Sequence, residues 1–242
     1  LAQQLGDRFS FDCIDLNKTM LERGKQLASE RGVLHLMKFV AADFNSWRAD
    51  DQYDSIVAHQ SLHHVTNLEH LYDQVKSALK KSGVFLTSDM IGRNGHQRWP
   101  EALEIVQRFW SELPDKRKYN YQLQRLEPWF TDWDCSSEGF EGIRAQEVLP
   151  LLLERLHADV FIAYGNVIDV FIDRAFGHHL NPDVEADRRF IDQVHETDED
   201  LIQRGQIKPT HLIGSFKKSP AAKPHYSRGI SPQHAVRRPY NS

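Results

Sequence analysis

The sequence has 242 residues, a mass of 28.1 kDa and a formal net charge of -4. Its 40% hydrophobic and 26% charged residues are typical of a globular domain. It has no run of about 18 apolar residues and no basic-then-apolar leader, so we expect neither a membrane span nor export and predict a cytoplasmic location. Its two cysteines exclude a disulfide framework and a four-cysteine zinc site.

The charge is distributed unevenly along the chain. From Lys217 to the end there are six Lys or Arg and no acid, which leaves 24 basic against 34 acidic residues in the body. Residues 219–242 contain four prolines and no hydrophobic periodicity, so we predict a disordered basic tail there. The acidic body argues against nucleic acid as a partner, and we expect a small molecule instead.

Short apolar runs alternate with amphipathic stretches in the first half of the chain, the pattern of a parallel sheet covered by helices. Asn17 is positioned to cap the first helix, and Gly32 to end it. The apolar stripe of this helix is Met20, Leu21, Gly24, Leu27 and Ala28; that of the next is Leu68, Leu71, Tyr72, Val75, Ala78 and Leu79. The predicted strands are FSFDCID (9–15), MKFVAADF (37–44), YDSIVAHQ (53–60) and, after a KKSG turn, VFLTSDM (84–90).

From Arg93 the pattern changes to longer helical stretches rich in aromatic residues, which suit a lid or the walls of a pocket. Strands are predicted again at ADVFIAYG (158–165) and HLIGSFKK (211–218), with helices over roughly 167–176 and 184–204 between them. We therefore divide the chain into a cofactor-binding half (1–92), a helical substrate or lid region (93–157), a part that completes the sheet (158–218) and the tail (219–242).

Three predicted strands end in polar residues, namely Asp15, Asp43 and the stretch His59 to Ser61. In an open parallel sheet, ligands bind at the carboxyl ends of the strands. A carboxylate after one strand can accept hydrogen bonds from both ribose hydroxyls, and a second carboxylate one strand along can bind the amino group of adenine. Two acids placed in this way fit an adenosine.

The ordered set CIDLNKTML, FVAADF, YDSIVAHQSLHHV and LKKSGVFLTSD resembles the class I S-adenosylmethionine-dependent methyltransferases. The resemblance implies an α/β fold with a Rossmann-like, mostly parallel sheet of the seven-stranded type, helices on both faces and a helical insertion. It also implies S-adenosyl-L-methionine as the cofactor and methyl transfer to an oxygen or nitrogen of a small molecule. By the same resemblance Asp15 holds the ribose and Leu16 lies against the adenine. Asp43 binds the adenine amino group beside Phe44, and His59 and Gln60 border the methionine part.

The sequence departs from that family at its glycine-rich loop, because no G-x-G is present among its 13 glycines. LAQQLGDRF looks like the end of the helix that follows this loop. We therefore expect that the chain lacks the family's first strand, is a fragment, and leaves two central strand edges unpaired.

Three histidines, His59, His63 and His64, lie close together in the sequence. On a helix the first two would face one side with the spacing of a metal pair; at a strand tip that spacing does not apply. Packing at the start of the next helix is one interpretation, and proton transfer by His63 or His64 is the other, since imidazole titrates near neutrality. His178 and His179, with Asp183 nearby, form a second possible metal pair, but we predict no metal.

Candidate acceptor contacts are Trp110 and Tyr121 in the aromatic region and Arg144 in the segment EGFEGIRAQEVLP. That segment combines Glu138, Glu141 and Glu147 with the arginine, and the alternative is a set of surface charges before a helix. Two other functions remain open. One is an NAD-dependent dehydrogenase, since Asp15 fits that fingerprint as well; the other is a non-catalytic binding protein derived from the methyltransferase fold.

Overall fold

The computed structural model describes residues 2–237. The helices are α1 (Ala2–Leu5), α2 (Lys18–Glu30), α3 (Leu68–Ala78), α4 (Pro100–Glu112), α5 (Ala145–Leu153), α6 (Val167–Ile172), α7 (Glu185–Gln203) and α8 (Pro232–Ala235). The strands are β1 (Phe11–Asp15), β2 (Met37–Ala41), β3 (Tyr53–His59), β4 (Leu79–Met90), β5 (Tyr119–Asn120), β6 (Arg125–Leu126), β7 (His157–Tyr164), β8 (His211–Lys217) and β9 (His225–Tyr226). None of the helices in this range is long and apolar enough to cross a membrane.

The main sheet has five strands in the order β3-β4-β8-β7-β9. β3 is parallel to β4 and β7 is parallel to β9, whereas β8 is antiparallel to both of its neighbours. A single reversed strand in an otherwise parallel sheet confirms the predicted mixed α/β fold.

β1 and β2 form a separate parallel pair. Within residues 2–237 no strand joins this pair to β3. The absence of the family's first strand stays a prediction. One side-chain link between the two sheets is the Tyr53 hydroxyl, which donates to Asp12 Oδ2 at 2.9 Å. A cleft of about 330 Å³ lies beside this link, with Ile14, Val40 and Trp47 in its walls.

α2 begins and ends where the sequence predicts. The Asn17 side chain accepts the backbone N–H of Thr19 at 3.0 Å and that of Met20 at 3.3 Å, and Gly32 has the left-handed φ of 67° that ends many helices. The predicted buried stripe is only partly correct. Leu21 and Ala28 are buried, but the side chains of Met20 and Leu27 are exposed because no layer covers that side of the helix.

The main core lies between the five-stranded sheet and the helices α3 to α7. The predicted apolar face of α3 is buried throughout, which confirms it as a core element. The largest fully buried side chains of the chain are Trp110, Tyr72, Phe85, Phe109, Phe161, Phe171 and Phe216. Burial of one such aromatic side chain stabilises a fold by about 1.5–3 kcal/mol, so this cluster stabilises the packing of the helices on the sheet.

β4 is longer than predicted. The strand begins at Leu79, directly after α3, rather than at Val84. Tyr53 pairs with Leu79 and Ser55 pairs with Val84, so residues 80–83 have no partners in β3 and bulge out of the ladder. The predicted KKSG turn is therefore an interruption within one strand.

The prediction of a disordered tail over 219–242 is wrong for residues 219–237. β9 extends the sheet at the edge of β7, and α8 follows it with Pro232 and Ala235 buried. Ile230 packs in the main core at 3% exposure, which ties this segment to the rest of the domain. Residues 238–242, the remainder of the predicted tail, lie outside the described residues.

The start of α6 is held by a buried carboxylate of α7. Asp198 Oδ2 and Oδ1 accept the backbone N–H groups of Asn166 and Val167 at 3.0 and 2.9 Å. Asp198 is fully buried, and this burial raises its pKa to about 6. Because Asp169, Val170 and Ile172 of α6 line the main cavity, a space of about 680 Å³, this contact fixes one of its walls.

The raised pKa of Asp198 predicts a pH-dependent stability. The folded chain binds this proton more tightly than the unfolded chain does, so the contribution of Asp198 to the free energy of unfolding should fall by about 2–4 kcal/mol as the pH rises from 4 to 7. Urea denaturation of the wild type and of Asp198→Asn across this range measures the effect, which the variant should lack. Parallel pH profiles of the two proteins would contradict this role.

Candidate active site

A cavity of about 680 Å³ opens beside the carboxyl end of β4 and the start of β8. Its size is within the range of small-molecule binding sites. Aromatic and aliphatic side chains form much of its wall, and charged side chains from several loops reach into it. Its lining includes Met90, His96, Arg98, Leu123, Glu127, Phe130, Asp132, Trp133, Glu138, Glu141, Asp169, Val170, Asp173, Arg174, Phe176, Thr210 and His211.

Asp89, the second-to-last residue of β4, organises the turn after β3. Its Oδ2 accepts the backbone N–H groups of Ser61 and Leu62, both at 2.8 Å, and its Oδ1 lies 2.6 Å from His63 Nδ1. Burial opposes ionisation of Asp89, but the His63 ring and the backbone donors hold its pKa below the ordinary value. Asp89 therefore fixes both the turn and the orientation of the His63 ring.

Glu141 connects His63 to a third loop. Its Oε1 lies 3.3 Å from His63 Nε2 and 2.7 Å from His96 Nε2. Partial burial of Glu141 opposes ionisation, but the His96 hydrogen bond and the nearby imidazoles lower its pKa. Both ring nitrogens of His63 face carboxylates, and a doubly protonated ring would donate to Asp89 and Glu141 together.

His96 is the imidazole of this cluster that faces the cavity. With Nε2 donating to Glu141, its Nδ1 is left without a hydrogen-bond partner among residues 2–237. Burial lowers the pKa of His96, so its ring is neutral at pH 7 and can accept a proton. Its φ of 57° is a strained backbone conformation for a non-glycine residue, as is that of Asp132 at 49° on the same cavity.

His64 is half-exposed, and its Nδ1 lies 3.3 Å from the carbonyl oxygen of Phe140. Ligand atoms of His63, His64 and Glu141 all lie within 4.8 Å of one another, which has the composition of a metal site. His59 is excluded from this group because it ends β3 while His63 lies in the following 3₁₀ turn, Leu62–His64. His59 and His63 therefore do not lie one turn apart on the same face of a helix. The expected absence of a metal stays a prediction.

The residues predicted to bind adenosine lie at the ends of β1 and β2, where Asp15 is the last residue of β1 and Asp43 follows β2. Asp15 Oδ1 accepts the backbone N–H of Asn17 at 2.7 Å, and Asp43 Oδ1 accepts that of Asn45 at 2.9 Å. The second carboxylate oxygen of each acid has no hydrogen-bond partner among the described residues. Leu16 is 64% exposed, which leaves an apolar surface free beside Asp15.

The other predicted cofactor contacts lie in different environments. Phe44 packs partly buried against the main core, and His59 is exposed at the tip of β3. Gln60 follows with a left-handed φ of 48° while its backbone N–H donates to the carbonyl oxygen of Ser88 at 2.9 Å. Gln60, the strained residue, is therefore the first residue of the turn that leads to His63.

None of the three predicted acceptor contacts lines the cavity. Trp110 is 1% exposed and donates its indole N–H to the carbonyl oxygen of Glu127 at 3.0 Å, so it serves the core. Tyr121 is half-exposed outside the cavity wall. Arg144 makes ion pairs with Glu69 and Glu147, both at 2.7 Å, which fix the start of α5 instead.

Sequence reasoning missed Asp89, His96, Asp169 and His211 as site residues. Asp89 could have been found because a charged residue inside the apolar run VFLTSDM needs buried partners. His96 carried no comparable signal, since its role depends on contact with a loop 45 residues further along the chain.

The profile of a family described as "Methyltransferase domain" matches residues 1–134. The chain belongs to this family. The resemblance to class I methyltransferases is thereby confirmed, and the dehydrogenase alternative is set aside. A search of curated proteins finds no significant match.

Solved methyltransferase structures share the fold of this methyltransferase domain at low sequence identity. The O-methyltransferase from a trans-AT polyketide synthase multienzyme of Brevibacillus brevis, in complex with S-adenosyl-L-homocysteine, is 17% identical with a TM-score of 0.50. The alignment covers 89% of this chain and 61% of that one. A putative sarcosine dimethylglycine methyltransferase from Galdieria sulphuraria is 15% identical over 88% of this chain and 71% of its own, with a TM-score of 0.47.

The methyltransferase domain therefore spans about three fifths of the length of the Brevibacillus structure. The family match identifies the chain as a methyltransferase domain.

Proposed function

We propose that the chain transfers the methyl group of S-adenosylmethionine to an oxygen or nitrogen of a small molecule held in the main cavity. The observation that carries this proposal is the Glu141–His96 pair, which presents a neutral imidazole to a cavity with apolar walls. Glu141, which lines the cavity, also contacts His63 in the turn after β3, and ligands of parallel sheets bind at such strand ends.

Asp15 and Asp43 are the residues proposed to hold the adenosine part of the cofactor. The free carboxylate oxygen of Asp15 suits the ribose hydroxyls, and the exposed side chain of Leu16 offers an apolar surface to the adenine. His59 and Gln60 are proposed to border the methionine part. When bound, S-adenosylmethionine supplies a methyl group on a positively charged sulfur.

His96 is proposed to accept the proton that the acceptor hydroxyl or amine loses. Glu141 accepts the hydrogen bond from Nε2, so the imidazolium that forms on protonation of Nδ1 has a carboxylate partner. This arrangement assigns His63 to positioning rather than to proton transfer, because its ring is buried between Asp89 and Glu141. His64 lies beside the same carboxylate, with its Nδ1 3.8 Å from Glu141 Oε2.

Replacing Asp15 by alanine should weaken cofactor binding by about 1–3 kcal/mol, since the ribose hydroxyls lose their carboxylate partner. Calorimetric titration with S-adenosylhomocysteine measures this change. Asp7→Ala, an exposed acid near the start of the chain, serves as the matched control. Equal affinity of the Asp15 variant and the wild type would show that the adenosine lies elsewhere.

A further inference from the structure

The cavity contains a second acid–imidazole pair, separate from Glu141 and His96. His211 is the first residue of β8, and its Nδ1 lies 3.4 Å from Asp169 Oδ2 and 3.0 Å from Thr210 Oγ1. The Thr210 hydroxyl donates to Asp169 Oδ2 at 2.7 Å. Because this hydroxyl has given its own hydrogen to Asp169, it accepts from His211, so the ring carries its proton on Nδ1.

The orientation of His211 is fixed by a second contact. The Tyr164 ring stacks on the imidazole at a centroid distance of 5.5 Å and an interplanar angle of 20°. Burial opposes ionisation of Asp169, but His211, Arg98 and Thr210 lower its pKa, so the Asp169 carboxylate is ionised at neutral pH. Within residues 2–237 nothing hydrogen-bonds to His211 Nε2, which leaves an oriented acceptor on the cavity wall.

Arg98 holds the two pairs at a fixed separation. Its Nη1 donates to the carbonyl oxygen of His96 at 2.8 Å, and its Nη2 lies 3.7 Å from Asp169 Oδ2. The guanidinium is 10% exposed and also donates to the carbonyl oxygen of Asn166, so it is a rigid bridge. Apolar side chains of the same cavity, including Val170 and Phe176, complete the wall.

We propose that the Asp169–His211 pair is a second polar subsite, which binds a hydroxyl group of the acceptor other than the one that is methylated. The acceptor is then a molecule with an apolar body and at least two hydroxyl groups. One is directed to His96 and the other donates to His211 Nε2. This inference rests on the proposed function for the identity of the bound molecule as a methyl acceptor.

Binding of two matched probes tests the subsite. We would titrate 2,7-dihydroxynaphthalene and 2-naphthol, which share one rigid ring system and differ by one hydroxyl, into the chain saturated with S-adenosylhomocysteine. The wild type should bind the diol about tenfold more tightly, the effect of one hydrogen bond in a desolvated site. His211→Phe, which keeps the stacked ring but removes Nε2, should reduce the ratio to about twofold, because the diol can bind in two equivalent orientations.

Two further variants make the result specific. Asp169→Asn should reduce the diol preference as well, since the His211 proton is no longer fixed on Nδ1. His195→Phe, at an exposed position on α7, should leave it unchanged. Equal affinities for the two naphthols, no binding of either, or a preference that survives His211→Phe would each overturn the proposal. Methyl transfer is measured separately, and its absence beside a retained, His211-dependent preference would count against the proposed function alone.

Discussion

Replacing His96 by glutamine is expected to lower kcat for methyl transfer by about 10²- to 10³-fold, the usual contribution of a positioned general base. Glutamine can still donate to Glu141, so the loop should keep its position. The affinity for S-adenosylhomocysteine should not change, because His96 faces the acceptor cavity. Steady-state kinetics and calorimetry on the same preparations separate the two effects.

The pH profile gives a second test of His96. Because burial lowers its pKa from 6.5, wild-type kcat/KM should rise with pH through a value below 6.5 and then level off. The His96→Gln variant should lose this limb. His195→Gln is the matched control, since this exposed histidine of α7 lies away from the cavity. Activity of His96→Gln within threefold of the wild type, with the limb intact, would assign the proton to another group.

Replacing Asp89 by asparagine is expected to lower the free energy of unfolding by about 3–5 kcal/mol, since each buried donor left without a partner costs about 1–3 kcal/mol. The carboxylate is fully buried, and it accepts backbone N–H groups of the turn as well as the hydrogen bond with His63. An amide offers one oxygen in place of two, so at least one buried donor is left without a partner. Urea denaturation at pH 7 measures the loss.

The matched control is Asp54→Asn, whose carboxylate pairs with Lys80 at the surface and should cost less than about 1 kcal/mol. The lowered pKa of Asp89 also determines how its contribution to the free energy of unfolding changes with pH. Its stabilising contribution is present above pH 3.8 and is lost as the pH falls through the still lower folded value. A loss below 1 kcal/mol for Asp89→Asn would show that the turn after β3 does not depend on this carboxylate.

Local features of the fold could be predicted because their causes lie within a few residues. Asn17 satisfies N–H groups two and three positions along the chain, and Gly32 ends the same helix with its own backbone. The apolar face of α3 repeats with helical spacing, so its burial follows from the pattern alone. The exposed side chains of Met20 and Leu27 show the limit of such predictions. Periodicity indicates which side of a helix is apolar, but not whether another layer of the fold covers that side.

Residues 219–237 show why composition alone does not predict order or disorder. Residues 219–237 have few apolar side chains, and composition therefore predicts disorder. Ile230 nevertheless enters the main core, and His234 Nε2 lies 2.7 Å from the carbonyl oxygen of Ile202 on α7. These contacts join the segment to elements that only the folded sheet brings close.

Only part of the candidate site can be located from the sequence, because several of its contacts join residues that are far apart in the chain. Asp15, Asp43 and the turn after β3 follow strand ends, and strand ends can be located from the sequence. The pairs His96–Glu141 and His211–Asp169 span 45 and 42 residues between loops and elements, so no spacing in the sequence indicates them. The charge of Arg144 makes it a candidate acceptor contact, but in the folded chain Glu69 and Glu147 form ion pairs with it.

Transfer of a labelled methyl group tests the central claim most directly. The chain would be incubated with S-adenosylmethionine carrying a trideuterated methyl group and with a panel of hydroxy and amino compounds, and the products would be analysed by mass spectrometry. We expect at least one acceptor to gain the trideuteromethyl group at oxygen or nitrogen, with the yield strongly reduced in His96→Gln. Bound cofactor without any labelled product, or equal yields from the wild type and His96→Gln, would contradict the account.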